Sequence, residues 1–149
     1  ECHGSIHRLQ CTAHCSGEIW PTAHLHPQVG EAACQWQGEL PHCPRCGALA
    51  RPNVLMFDDR HWNDTRSHQQ RMLLDMWLDS TTAPLVIEIG DLRALPTVRN
   101  FTRRMQQRGS ALVRINLREA SIHNPDAIEI ALGAREALER IQQHLAADI

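Results

Sequence analysis

The chain has no lysine and no tyrosine, and only two phenylalanines. All 15 cationic side chains are arginine. Codon or genome bias accounts for that choice better than function does, although arginine does suit phosphate and carboxylate recognition. An excess of charge is also missing, since the formal net charge is -2. That removes the broad electrostatic ground for binding nucleic acid or a membrane surface. No apolar run is long enough to cross a bilayer and no signal-peptide pattern opens the chain, so a cytoplasmic protein is expected. The first residue is Glu1 rather than methionine, which leads us to expect a processed or excised piece. Finally, no cysteine follows Cys46. A disulfide scaffold running through the whole chain is thereby excluded.

What is present divides along the sequence. At 149 residues the chain is one ordinary domain, or a domain with a small appendage, and can bury a core. All six cysteines lie in the first 46 residues, in a stretch rich in histidine, proline and tryptophan and poor in periodicity. Such a segment has no apolar stripe to hold it and needs a metal or covalent staple. Cys43-Pro-Arg-Cys46-Gly has the spacing that turns two thiolates toward one ion, with glycine allowing the tight turn. Cys11 and Cys15, three residues apart, supply a second pair. Together Cys11, Cys15, Cys43 and Cys46 make the ligand set of a closed tetrahedral zinc site, with His14, His42 or Cys34 as competing ligands in place of one cysteine. Four protein ligands leave no open position, so the expected zinc is structural. Cys2 reads as a small buried residue.

After Cys46 the pattern changes to alternating strands and helices. Val54 to Phe57 reads as a buried strand, and a helix is expected from about Asn63 or Asp64 to Leu78, with Met72, Leu73, Met76 and Trp77 at helical spacing. Leu85 to Gly90 is a β-branched run ending in glycine. A second helix opens at Pro96 and closes at Gly109, with Val98, Phe101 and Met105 on one face. Ala111 to Asn116 is the next strand, and Leu138, Ile141 and Leu145 mark a final helix from about Ala134. This order predicts an α/β fold, half of a doubly wound, Rossmann-like parallel sheet with a small zinc-binding module. The expected division is a histidine-bearing segment at 1–10, a zinc module at 11–50 and the α/β portion at 51–149. Ligands in such sheets sit at the carboxyl ends of strands, which singles out Phe57-Asp58, Gly90-Asp91 and Asn116-Leu117.

His3, flanked by Gly4-Ser5 and followed by the metal knuckle, is placed to serve as a general base. The order His3-Gly4-Ser5, two cysteine pairs, Arg51-Pro-Asn-Val-Leu-Met-Phe57, a strand ending at Gly90, Asn116 after the next strand and a closing helix resembles the C-terminal part of the sirtuins, NAD-dependent protein deacylases. The resemblance spans essentially the whole chain. It implies that His3 takes a proton from a ribose hydroxyl of NAD, while the acyl group of an acyl-lysine protein passes to ADP-ribose and nicotinamide leaves. It implies that Leu55, Phe57 and Asp58 pair with the substrate peptide as an added strand. By the same resemblance Gly90, Asp91, Leu92, Asn116, Leu117, Arg118 and Ala134 meet the dinucleotide, and the four cysteines hold the family's structural zinc.

The chain also departs from that pattern. Asp58-Asp59 stand where the family has Gly-Glu, and Asp91-Leu92 stand where it has Thr-Ser. The Gly-Ala-Gly phosphate loop and the Gln-Asn-x-Asp segment have no counterpart, so NAD binding by this chain alone is expected to be weak or absent. The reading is a sirtuin-like deacylase present as a C-terminal fragment inactive by itself. The alternative is a non-catalytic zinc-bearing module that recognises a protein or peptide.

Overall fold

The computed structural model describes residues 1–90, 96–122 and 124–147. The chain forms two compact units, Glu1–Trp77 and Leu78–Ile149. The first is built on β1 (Gly4–Cys11), which pairs antiparallel with β2 (Ile19–Pro21) on one side and β5 (Ala50–Val54) on the other. Between them lies a separate hairpin of β3 (Gln28–Gly30) and β4 (Gln35–Gln37). A register shift between Ser5 and Leu9 bulges β1, and Ile6 on the bulge is 69% exposed. Because β5 pairs only with β1, Pro52 can stand in it without costing a second ladder its hydrogen bond.

Apolar burial in this unit is small. Among the described residues only Leu9, Ala50, Cys11 and Cys43 are buried apolar side chains. A polar network does part of the work instead. The Asn53 side chain is fully buried, and its Nδ2 donates to Gln10 Oε1 at 2.9 Å and to the Asn63 carbonyl at 2.8 Å. Gln10 Nε2 donates to the His61 carbonyl at 2.8 Å. These bonds pull the loop after β5 back onto β1.

The expected strand at Val54–Phe57 is therefore corrected. The strand is Ala50–Val54, it is antiparallel, and Leu55, Met56 and Phe57 lie beyond it, exposed. The chain leaves the ladder there because the Asp59 carboxylate captures the Met56 and His61 amides at 3.4 and 3.1 Å. Helix α1 (Thr65–Ser80) follows, with Met72, Leu73, Met76 and Trp77 exposed and Leu78 buried.

The second unit is a parallel sheet in the order β6-β7-β8, from β6 (Val86–Ile89), β7 (Leu112–Ile115) and β8 (Ile128–Ile130). Helix α2 (Thr97–Gln107) connects β6 to β7, and α3 (Ala134–Ala147) follows β8. Met105, Leu112 and Ile115 form its core at 1–2% exposure. Burial of each is worth about 1.5–3 kcal/mol. Glu88 and Arg114, neighbours in register on β6 and β7, are buried together as an ion pair. No helix of the described residues is long and apolar enough to cross a membrane.

Candidate active site and metal centre

Two cysteine-bearing turns meet in the first unit. Cys11 ends β1, and the turn after it carries His14 in the left-handed region at φ 50. The second turn is closed by Cys43 N–H donating to the Ala48 carbonyl at 2.7 Å and Gly47 N–H donating to Cys43 at 2.9 Å. Gly47 has φ 73, the conformation glycine takes without strain. Thr12 locks the two turns together, since its amide and hydroxyl both donate to the Leu49 carbonyl, at 3.0 and 2.7 Å.

The result brings Cys11, Cys15, Cys43 and Cys46 within 4.8 Å of one another. Sγ–Sγ distances are 3.6 Å for Cys11–Cys46 and 3.5 Å for Cys15–Cys43. A tetrahedral ion with bonds of about 2.3 Å requires sulfurs about 3.8 Å apart, so the four thiols fit zinc. The competing ligands point elsewhere. The His14 ring lies against His61 with centroids 4.9 Å apart, His42 Nδ1 sits 2.9 Å from the Gly47 carbonyl, and Cys34 Sγ donates to Glu31. Electrostatics inside the cluster are uneven. The Cys15 amide, with smaller help from Ala13 and against burial, lowers the Cys11 thiol to about 6. Cys15 is pushed up to about 12, first by sharing its proton with the Cys46 sulfur and then with Cys43. A metal ion would take all four as thiolates.

His3 stands exposed in the turn before β1. Its carbonyl accepts the Leu55 amide at 2.9 Å, so the backbone of the expected base is tied to the expected peptide-docking segment. Gly4 makes this possible: it has φ 84, and a Cβ built on it would lie 2.0 Å from the Asn53 carbonyl oxygen. No other residue fits between His3 and β5. Phe57 is 88% exposed. Asp58 follows at φ 54. Aspartate is among the few side chains that tolerate this left-handed region.

Three residues to which the sequence assigned no role of their own hold this loop: Arg51, Asn53 and Asp59. Arg51 Nη2 lies 2.7 Å from Asp59 Oδ2. Burial raises the Asp59 carboxyl, but Arg51 and the Met56 and His61 amides outweigh it and hold it below its usual range. An arginine at the head of a strand with an aspartate eight residues on was the available signal.

In the second unit, Gly90 directly follows β6 at φ 66 and donates its amide to the Ile115 carbonyl at 2.9 Å. Nothing lies within 4 Å of a built Cβ, so its backbone conformation, not crowding, calls for glycine. Asn116 is buried at the end of β7, donates its amide to Ile130, and accepts the Arg118 and Glu119 amides on Oδ1 at 3.0 and 2.9 Å. Leu117 and Arg118 are exposed, and Ala134 is exposed at the start of α3. Asp91 and Leu92 lie outside the described residues. Gly90 and Asn116 thus sit at the carboxyl ends of adjacent parallel strands, where such sheets take ligands.

No family model matches the chain. A solved Sir2 homologue bound to NAD superposes with a TM-score of 0.64, at 21% identity over 99% of this chain and 51% of that one. This is a Sir2-like fold. A Sir2–p53 peptide–NAD+ structure matches with a TM-score of 0.61, at 18% identity over 97% of this chain and 54% of that one. In sequence, the chain is 26% identical over 122 residues to the NAD-dependent protein deacylase of Pyrococcus furiosus, covering 82% of this chain and 44% of the relative. It therefore spans less than half the length of that curated relative, and about half the length of the solved structures.

Proposed function

We propose that this Sir2-like chain is the part of an NAD-dependent protein-lysine deacylase that carries the catalytic histidine, the structural zinc module and one half of the dinucleotide sheet. The observation that carries the reading is the 2.9 Å hydrogen bond from Leu55 to the His3 carbonyl, beside an exposed apolar segment that ends in Phe57. Within the first unit, it sets a titratable imidazole next to a backbone that can pair with an extended peptide. NAD, when bound, supplies the ribose carbon that accepts the acyl oxygen and the nicotinamide leaving group. His3 has the role of holding and moving the proton of a ribose hydroxyl. Leu55, Phe57 and Asp58 position the acyl-lysine peptide. Gly90, Asn116, Leu117, Arg118 and Ala134, with Asp91 and Leu92, are the residues assigned to the dinucleotide, and Cys11, Cys15, Cys43 and Cys46 to structural zinc.

The test is release of nicotinamide from NAD in the presence of an acyl-lysine peptide, measured on the longest open reading frame that contains this chain. Turnover by that protein and its loss by a hundredfold or more on His3→Ala is the expected result. NAD binding without any effect of His3→Ala would refute the assignment of His3. Peptide binding with no NAD binding at all would favour the non-catalytic zinc module.

A further inference from the structure

In the first unit, the side chains of Leu55, Met56, Phe57 and Asp58 are all exposed, Phe57 by 88%. Their backbone is not equally available. The Leu55 amide is taken by the His3 carbonyl, the Met56 amide by the Asp59 carboxylate, and the Asp58 carbonyl by the Arg60 amide at 3.0 Å. Of the four, Phe57 is the one with no hydrogen bond on either its N–H or its C=O among the described residues. A residue that offers both groups can exchange two ladder bonds with an added strand. Phe57 is therefore where an extended peptide pairs, and a neighbour of the paired peptide residue passes Asp58.

The two carboxylates that end the segment differ in what is left of them. Asp59 is spent inside the loop, on Arg51 at 2.7 Å and on the Met56 and His61 amides. Asp58 is exposed and has no ion pair or side-chain hydrogen bond among the described residues. Arg60, two residues on, does not answer it: the two form no ion pair, and Arg60 lines a depression with His14, Ser16 and Gly17 that none of Leu55 to Asp58 lines. Left open are a carboxylate and, one residue before it, an exposed aromatic ring. A neutral donor satisfies the carboxylate only, whereas a cation is drawn by both. Opposite charges on facing strands attract, and like charges there repel.

We propose that Asp58 makes this site selective for acyl-lysine segments that carry an arginine or a lysine close to the acyl-lysine, by pairing with that cation across the added strand. The proposal rests on the reading of Leu55, Phe57 and Asp58 as the peptide-docking segment. Its test is peptide binding without NAD, read by fluorescence anisotropy on the longest open reading frame that contains this chain. Labelled acetyl-lysine peptides carry a single arginine at each flanking position in turn, or citrulline, alanine or glutamate in its place. Arginine should bind about two- to fivefold tighter than its uncharged isostere citrulline, the range of an exposed ion pair, at a single position or an adjacent pair, with glutamate weakest there. Raising the salt should shrink that ratio. Asp58→Asn, which keeps the tolerance for a positive φ, should abolish the preference, and so should Asp58→Gly. Equal binding of arginine and citrulline peptides at every position, the same preference at all positions, a ratio unmoved by Asp58→Asn, or no peptide binding would each overturn the proposal. A position-specific preference with no release of nicotinamide would uphold the selectivity and sink the deacylase reading, so the two fail separately.

Discussion

Replacing Glu88 by leucine tests how the parallel sheet tolerates charge in its interior. The Glu88 and Arg114 side chains are 1% and 9% exposed, and they share a fork of two hydrogen bonds across β6 and β7. Glu88→Leu leaves a guanidinium buried with one carbonyl, that of Ser121, as its remaining described partner. Orphaning one member of such a pair costs about 3–5 kcal/mol, whereas exchanging both members for apolar side chains of similar volume is close to neutral. Glu88→Leu should therefore destabilise this unit by that amount, and Glu88→Leu with Arg114→Met by far less. The readout must come from the sheet itself. Amide hydrogen exchange does. The Val86 and Gly90 amides, bonded to Ala111 and Ile115 at 2.9 Å each, are suitable probes. At a factor of ten per 1.4 kcal/mol, their exchange in Glu88→Leu should quicken roughly a hundredfold to a few thousandfold. If the double variant exchanges as fast as the single one, the orphaned charge is not the source of the loss. If the single variant changes exchange by less than about fivefold, the pair is screened by water and the surface value applies.

Two further outcomes follow from the first unit. Metal analysis should find one zinc per chain. Cys43→Ser should lose that zinc and, like treatment with a strong chelator, lower the melting temperature, because few apolar side chains are buried there and binding energy is folding energy; an unchanged melting temperature on metal removal would defeat the structural role. Asp59→Asn should show its effect only above the acid range: a carboxyl held below its ordinary value of 3.8 stabilises the fold at higher pH and loses that contribution as pH falls through its lowered value. The difference in melting temperature from wild type should thus persist above about pH 4 and close in stronger acid, and a gap that widened on acidification would contradict the Arg51–Asp59 pairing.

The cluster of four cysteines and the glycine and asparagine at the strand ends were legible because their signals are local. Two cysteines two residues apart, or a β-branched run stopped by glycine, carry their meaning within a handful of positions. What was hidden depends on pairing across distance. β1 gives no clean alternation, because its bulge turns Ile6 outward, and the three residues of β8 are too few to establish a period. The misplacement of the strand at Val54–Phe57 has the same origin. Leu55, Met56 and Phe57 are as apolar as a buried strand, and only Asp59, Arg51 and a Gln10 more than 40 residues away in sequence from Asn53 decide that they stay outside. Gly4 shows the limit most sharply. Read locally it marks a turn, and the turn is there, with its amide on the Glu1 carbonyl at 3.2 Å. Yet a turn alone would accept asparagine or aspartate at a positive φ. The requirement for glycine comes from the Asn53 carbonyl, 2.0 Å from where any Cβ would stand. The glycine beside His3 is thus fixed by the same approach of β5 that carries Leu55 onto the His3 carbonyl, so the turn at His3-Gly4 and the end of β5 constrain each other.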